Sequence, residues 1–143
     1  MKLSSLILTV TMALLTVAQA QTGGFYSACS KTWTLGYRGS SHFMVDTCPR
    51  ASSSNVSVTS TLDLNDCLGN REGAIEAVRV GHAFDTCLSC SGAADSSLLT
   101  CDCWTTDEFV KTSTFDLDTV VVNNDGVLAC FDLPGFEVGA SEL

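Results

Sequence analysis

The chain has 143 residues and carries seven Lys and Arg against sixteen Asp and Glu, a net charge of −9. That balance does not suit a nucleic-acid backbone or an anionic membrane surface. The length is that of one domain.

Lys2, the apolar run Leu6 to Val17 and the small-x-small triplet Ala18-Gln19-Ala20 read as a secretory signal peptide over residues 1–20, cut before Gln21. The apolar run is short for a membrane anchor, and no later stretch is long and apolar enough to cross a bilayer. The expected product is a secreted, extracellular chain. Residues 21–131 then form one domain, with repeats over about 25–80 and 81–131, and residues 132–143 follow as a loose C-terminal tail.

Within the domain, Phe25 to Cys29 reads as a start turn or strand end, with Phe25 as a core anchor. Lys31 to Tyr37 is rich in β-formers and is the first strand candidate. His42 to Val45 is the second, ending at Cys48-Pro49. Ala51 to Ser54 is a polar turn, and Asn55-Val56-Ser57 is a glycosylation sequon. Val56 to Ser60 begins a third strand. Ile75 to Val80 is a strand or linker joining the two copies. Ser89 to Ser97 is small and polar, hence a loop. Leu98 to Trp104 is a strand, Phe109 to Thr114 leads into the next, and Val127 to Phe131 is the last. No long amphipathic helix is present, so the class is all-β with short helical turns.

One stretch occurs twice. Ser60 to Ile75 (STLDLNDCLGNREGAI) aligns without a gap on Ser113 to Leu128 (STFDLDTVVVNNDGVL). Ser60/Ser113, Thr61/Thr114, Asp63/Asp116, Leu64/Leu117, Asn70/Asn123 and Gly73/Gly126 are identical. Two copies are too few for a solenoid and point to one domain with a pseudo-twofold. Asp63 and Asp116 are placed to accept backbone N–H bonds at the start of a helical turn. The Asn-x-Glu/Asp-Gly segments predict hairpin turns.

The eight cysteines all follow the expected cut, and their even number reads as a disulfide framework. Cys87-x-x-Cys90 with Cys101-x-Cys103 also has the look of a zinc or redox site, but the x1 spacing and an oxidising compartment disfavour it. The repeat favours Cys29–Cys48 and a bridge from Cys87 to Cys101 or Cys103 as its own; with Cys103 chosen, Cys90–Cys101 is an added cross-link. Cys67 and Cys130 remain to tie the middle of the chain to its last strand. Each bridge is worth roughly 2–4 kcal/mol.

Taken together, these motifs resemble the cyanovirin-N homology family. The residues that carry the likeness are Phe25…Cys29, Cys48, Leu62-Asp63-Leu64-Asn65 and Asn70…Gly73-Ala74-Ile75. They recur as Phe84…Cys87, Leu99 to Trp104, Asp116-Leu117-Asp118 and Asn123 to Leu128. With its extra cysteines the chain is similar to secreted fungal members. The resemblance implies a cyanovirin-N-like fold: two pseudo-symmetric tandem repeats with exchanged strands, short 3₁₀ turns, disulfide-stabilised. It also implies binding of mannose-containing glycans without cofactor or metal, one site per half, by a monomer or a strand-swapped dimer.

Carried over by position, the second-half site is Asn70, Arg71, Glu72, His82, Asp85, Thr86, Trp104 and Thr105. The first-half site is Ser27, Ala28, Pro49, Arg50, Ala51, Asn123, Asn124 and Asp125. Paired sugar hydroxyls call for amide, carboxylate, guanidinium and hydroxyl groups at fixed angles. In the first-half site Ala28 stands where a hydroxyl is common in the family and Pro49 removes a backbone donor; in the second-half site Gly69 stands where an acid is common. With two departures against one, the second-half site is favoured.

An alternative reading keeps the fold and gives up the sugar, leaving a secreted structural or interaction protein or an effector. An enzyme is disfavoured. The only histidines are His42 and His82, there is no nucleophile elbow or metal-binding His pair, and a deep two-carboxylate cleft has little room here.

Overall fold

A computed structural model describes residues 23–93 and 95–139, so the leader over residues 1–20 lies outside the described residues. The chain opens with a single helical turn, α1 (Phe25–Ala28), which buries Phe25 completely. Three strands follow: β1 (Thr34–Arg38), β2 (Ser41–Pro49) and β3 (Ser57–Asp63). They form an antiparallel meander in which Val45 faces both Thr34 and Thr61. Alternation along β2 turns His42, Met44, Asp46 and Cys48 inward.

The repeated stretch comes next. Asp63 caps a 3₁₀ turn, Leu64–Asp66, by accepting from Asn65 N at 2.9 Å. Its twin Asp116 caps Leu117–Thr119 by accepting from Asp118 N at 3.0 Å. Each turn feeds a tight hairpin: β4 (Leu68–Arg71) with β5 (Ala74–Ala77), and later β9 (Val121–Asn124) with β10 (Val127–Cys130). Between them lie β6 (Cys87–Gly92), β7 (Leu98–Trp104) and β8 (Val110–Asp116), the second meander.

The hairpins change places. β5 packs on β8, and Ile75 N donates to Ser113 Oγ at 2.9 Å. β10 packs on β3, and Leu128 N donates to Ser60 Oγ at 2.9 Å. The hairpin of the first repeat therefore completes the second meander, and the hairpin of the second repeat completes the first. Ser60, fully buried, and Ser113, half-buried, meet these two amides because an unpaired buried N–H is costly. The repeat's apolar twins Leu64/Leu117, Leu68/Val121 and Ile75/Leu128 are all buried in one core. Cys67–Cys130 joins the two hairpins at its centre, while Cys29–Cys48, Cys87–Cys103 and Cys90–Cys101 each lie within one half.

Of the two readings of Phe25 to Cys29, the start turn holds, as α1 with Cys29 at its end. Two expectations need correction. The segment from Ser89 to Ser97 is not all loop, since β6 runs on to Gly92. A bulge between Leu88 and Ser91, with Ser89 at φ 52°, shifts the register, and the Cys90–Cys101 bridge pins this stretch to β7 despite its weak propensity. The tail 132–143 is not loose over its described part. β11 (Leu133–Pro134) pairs with β10, and β12 (Phe136–Glu137) adds to β3 as a fourth strand. Gly135 makes the crossing possible: its N–H donates to Leu128 O at 2.8 Å, and a Cβ there would lie 2.1 Å from Thr61 O.

Candidate functional site

Each exchanged hairpin ends in a turn that meets the loop of the meander it completes. In the second half, Asn70 organises the junction. Its Nδ2 donates to Thr86 Oγ1 and to Trp104 O, both at 2.8 Å, and its Oδ1 accepts from Gly73 N at 2.9 Å. Glu72, at φ 51°, places its carboxylate on the next loop, where it accepts from Thr106 Oγ1 at 2.9 and 3.0 Å and from Thr106 N at 3.3 Å. Lys111 Nζ donates to Glu72 O at 3.1 Å from below. Arg71 is largely exposed and pairs with Glu76 at 2.9 Å.

A cleft of about 320 Å³ opens between these groups, lined by Asn70, Arg71, Glu72, Thr86, Trp104, Thr105 and Thr106. Six of the eight second-half candidates thus converge. His82 and Asp85 do not line the cleft. His82 sits at the repeat junction, where its N–H donates to Asn65 O at 3.1 Å and it bridges to Gly69. Gly69 faces away from the cleft, with Val78 carbons 2.9 and 3.1 Å from where its Cβ would be. Thr106 was not anticipated. Its place beside Thr105, in a loop facing the Glu72 turn, was the available signal.

The first half repeats the wiring with different lining. The registers Val45↔Thr61 and Thr100↔Thr114 make Pro49 the twin of Trp104. Asn123 Nδ2 donates to Pro49 O at 2.9 Å, and Gly126 N donates to Asn123 Oδ1 at 2.7 Å. Ser52, also unanticipated, donates to Asp125 through its N–H at 2.8 Å and its hydroxyl at 2.6 Å. These bonds, the hydroxyl's first, hold the Asp125 carboxyl below its usual range.

Arg50 lies against Gly126, donates to Asp125 O at 3.1 Å, and pairs with Glu137 of β12. The hydroxyl Thr86 supplies to Asn70 has no counterpart beside Asn123, where Ala28 is exposed. Asn124 and Ala51 flank the turn, and Ser27 Oγ donates to Gly24 O at 3.2 Å on α1. The sequon residue Asn55 is exposed, at φ 69°, in a loop over 50–56 that is two residues longer than its counterpart over 105–109.

The profile described as the CVNH domain matches residues 25–129, most of the chain. The chain belongs to the CVNH family. Solved structures share the fold at low identity. One is a MoCVNH3 variant (Mo0v) in complex with (N-GlcNAc)4, 15% identical, TM-score 0.63, covering 76% of this chain and 97% of that one. Another is the Gibberella zeae CVNH, 17% identical, TM-score 0.60, covering 75% and 96%. A third is the microvirin:mannobiose complex, 23% identical, TM-score 0.54, covering 78% and 98%. A search of curated proteins returns no match. The CVNH match stops at residue 129, so β11 and β12 lie outside the matched residues.

Proposed function

We propose that this CVNH protein is a secreted carbohydrate-binding protein of lectin type, not an enzyme, and that its working site is the second-half cleft. The observation that carries the reading is the convergence of Asn70, Arg71, Glu72, Thr86, Trp104 and Thr105 around one open cleft. The indole of Trp104, 42% exposed, offers a flat face to a sugar's C–H groups. Arg71 offers donors and Glu72 acceptors to vicinal hydroxyls; the Thr106 bonds fix the Glu72 carboxylate, and the Asn70 bonds tie the turn to Thr86 and Trp104. Such preorganised polar groups reject sugars whose hydroxyls leave them unpaired.

Mannose-type oligosaccharides are the first class to test, supported by family membership and by the mannobiose held by microvirin. The (N-GlcNAc)4 held by Mo0v makes N-acetylglucosamine oligomers the comparison ligand. The experiment is titration calorimetry of the oxidised chain with a mannose-α1,2-mannose disaccharide. Saturable heat at a stoichiometry of one supports the second-half cleft, and a stoichiometry of two adds the first. No heat at millimolar sugar of either class refutes the reading.

The specific observation favouring the alternative is in the first half. There Pro49 stands in the place of Trp104 and offers no aromatic face, and exposed Ala28 leaves Asn123 without the hydroxyl that Thr86 gives Asn70. If the second-half cleft is silent too, an interaction protein on a CVNH scaffold is the better description.

A further inference from the structure

The two halves match strand for strand except at one edge. In the first half, β12 covers the outer edge of β3. Val138 N donates to Thr59 O at 2.9 Å, and Phe136 and Glu137 face Thr61 and Ser60. The twin of β3 is β8, with Thr112 and Thr114 in the places of Thr59 and Thr61. Among the described residues nothing pairs with the outer edge of β8, which ends its sheet in the order β6-β7-β8.

The exposure follows the difference. Thr59 and Thr61 are half-buried, whereas Thr112 and Thr114 are exposed, as are Val110 and Lys111. In an antiparallel strand a residue's N–H and C=O point to the same side. Because Thr59 O is turned to β12, the backbone groups of Thr112 and Thr114 are turned to open solvent.

Proteins guard such an edge with Pro, a bulge, an outward charge or a covering segment. Among the described residues β8 has none of these. Its sequence, VKTSTFD, is rich in β-formers and carries no Pro or Gly. Its one lysine is turned to the hairpin, with Lys111 Nζ on Glu72 O at 3.1 Å. Val110 is 49% exposed, beside the exposed Phe109 and Trp104.

We infer that the β8 edge is a docking surface for a second copy of this chain, pairing β8 to β8 antiparallel about a twofold axis. An identical edge is complementary to itself only in the antiparallel sense, which a twofold supplies. Centred on Ser113, the pairing sets Thr112 of each copy opposite Thr114 of the other, a favoured cross-strand pair. Thr100 and Thr114 already make such a contact within the chain, at 2.9 Å between their hydroxyls. Two three-stranded meanders then become one six-stranded sheet, and the edge that β12 protects in the first half is protected in the second by the partner. The inference does not depend on sugar binding.

The test is sedimentation equilibrium of the chain from micromolar to millimolar concentration, with amide hydrogen exchange on the same samples. The expected result is a concentration-dependent dimer in which the Thr112 and Thr114 amides gain protection as the dimer fills. Thr112→Pro removes one edge donor, together with the Thr112 hydroxyl's bond to Asp102 at 2.8 Å, and leaves the backbone ladder to β7 in place, a substitution edge strands tolerate. It is expected to weaken the dimer at least tenfold while the circular dichroism is kept. A wild-type chain monomeric throughout overturns the inference. So does a dimer that survives Thr112→Pro, or one in which both amides still exchange freely, as a strand-swapped dimer would show. Were the variant to misfold, the wild-type exchange pattern alone decides.

Discussion

Asn70→Ala removes three hydrogen bonds at once: two donated at 2.8 Å to Thr86 and Trp104, and one accepted at 2.9 Å from Gly73. Asn70 is half-buried, so each bond is worth somewhat less than the ~1 kcal/mol of a typical intramolecular one, and the loss is about 2 kcal/mol. For a domain of this size that lowers Tm by about 8 °C. The twin substitution Asn123→Ala removes two bonds, at 2.9 and 2.7 Å, for about 1.5 kcal/mol.

Stability alone barely separates the twins; the site does. Asn70 holds the strand end bearing Trp104 against the turn bearing Glu72, so Asn70→Ala is expected to weaken disaccharide binding at least tenfold. Asn123→Ala is expected to leave it within twofold. Calorimetric unfolding and sugar titration on the two variants make the comparison. Equal loss of affinity in both, or unchanged affinity in Asn70→Ala, refutes the assignment of the cleft.

Other consequences are as direct. His42 is buried, stacked on Phe84 at 4.0 Å between ring centroids, and burial lowers its pKa below 6.5. The unfolded chain then binds the proton more tightly, so stability is full above pH 6.5 and falls as the pH drops below it; in His42→Phe that slope over pH 6.5–5 should flatten in denaturant titrations. Cys67–Cys130 closes a span of 63 residues and Cys90–Cys101 one of 11. On chain-entropy grounds, replacing both cysteines by Ser costs about 4 kcal/mol for the first pair and about 3 kcal/mol for the second, readable as a lower denaturant midpoint. Gly135→Ala drives a methyl into Thr61 O. It should release β12, costing about 1–3 kcal/mol and raising amide exchange at Val138 while the β7–β8 ladder keeps its protection.

Much of the fold was legible because the repeat carries its own local physics. An Asp before a short apolar run caps a 3₁₀ turn wherever it stands, and Asn-x-x-Gly closes a hairpin whose apolar flanks must be buried. Periodicity placed β7 to the residue, and the doubled pattern pointed to Cys29–Cys48 and to a partner for Cys87 at Cys101 or Cys103, with the other bridges following only by elimination. What escaped was decided at a distance. β6 is written in Ser, Gly and Cys with a single Leu, and is a strand because two bridges hold it to β7. β12 is a strand because the edge of β3 stands open and Gly135 lets the chain cross Thr61. Thr106 reaches the second-half cleft, and Ser52 the Asp125 turn, through loops, where spacing says little about which side chain meets a carboxylate coming from the other repeat.

The exchange of hairpins means that neither repeat is a foldable unit. A first-repeat fragment ending near Ala77 would keep β1 to β3 but lose the hairpin that covers them, and would carry a hairpin with nothing to cover. A gene that lost one copy would therefore yield no half-size protein. Two fragments cut in the short junction between Ala77 and Ala83, however, hold complementary parts, and each is the other's missing core. The duplication is thus irreversible in a strict sense: the copies are free to diverge in their clefts and edges, as Pro49 and Trp104 or β3 and β8 have done, but not to part.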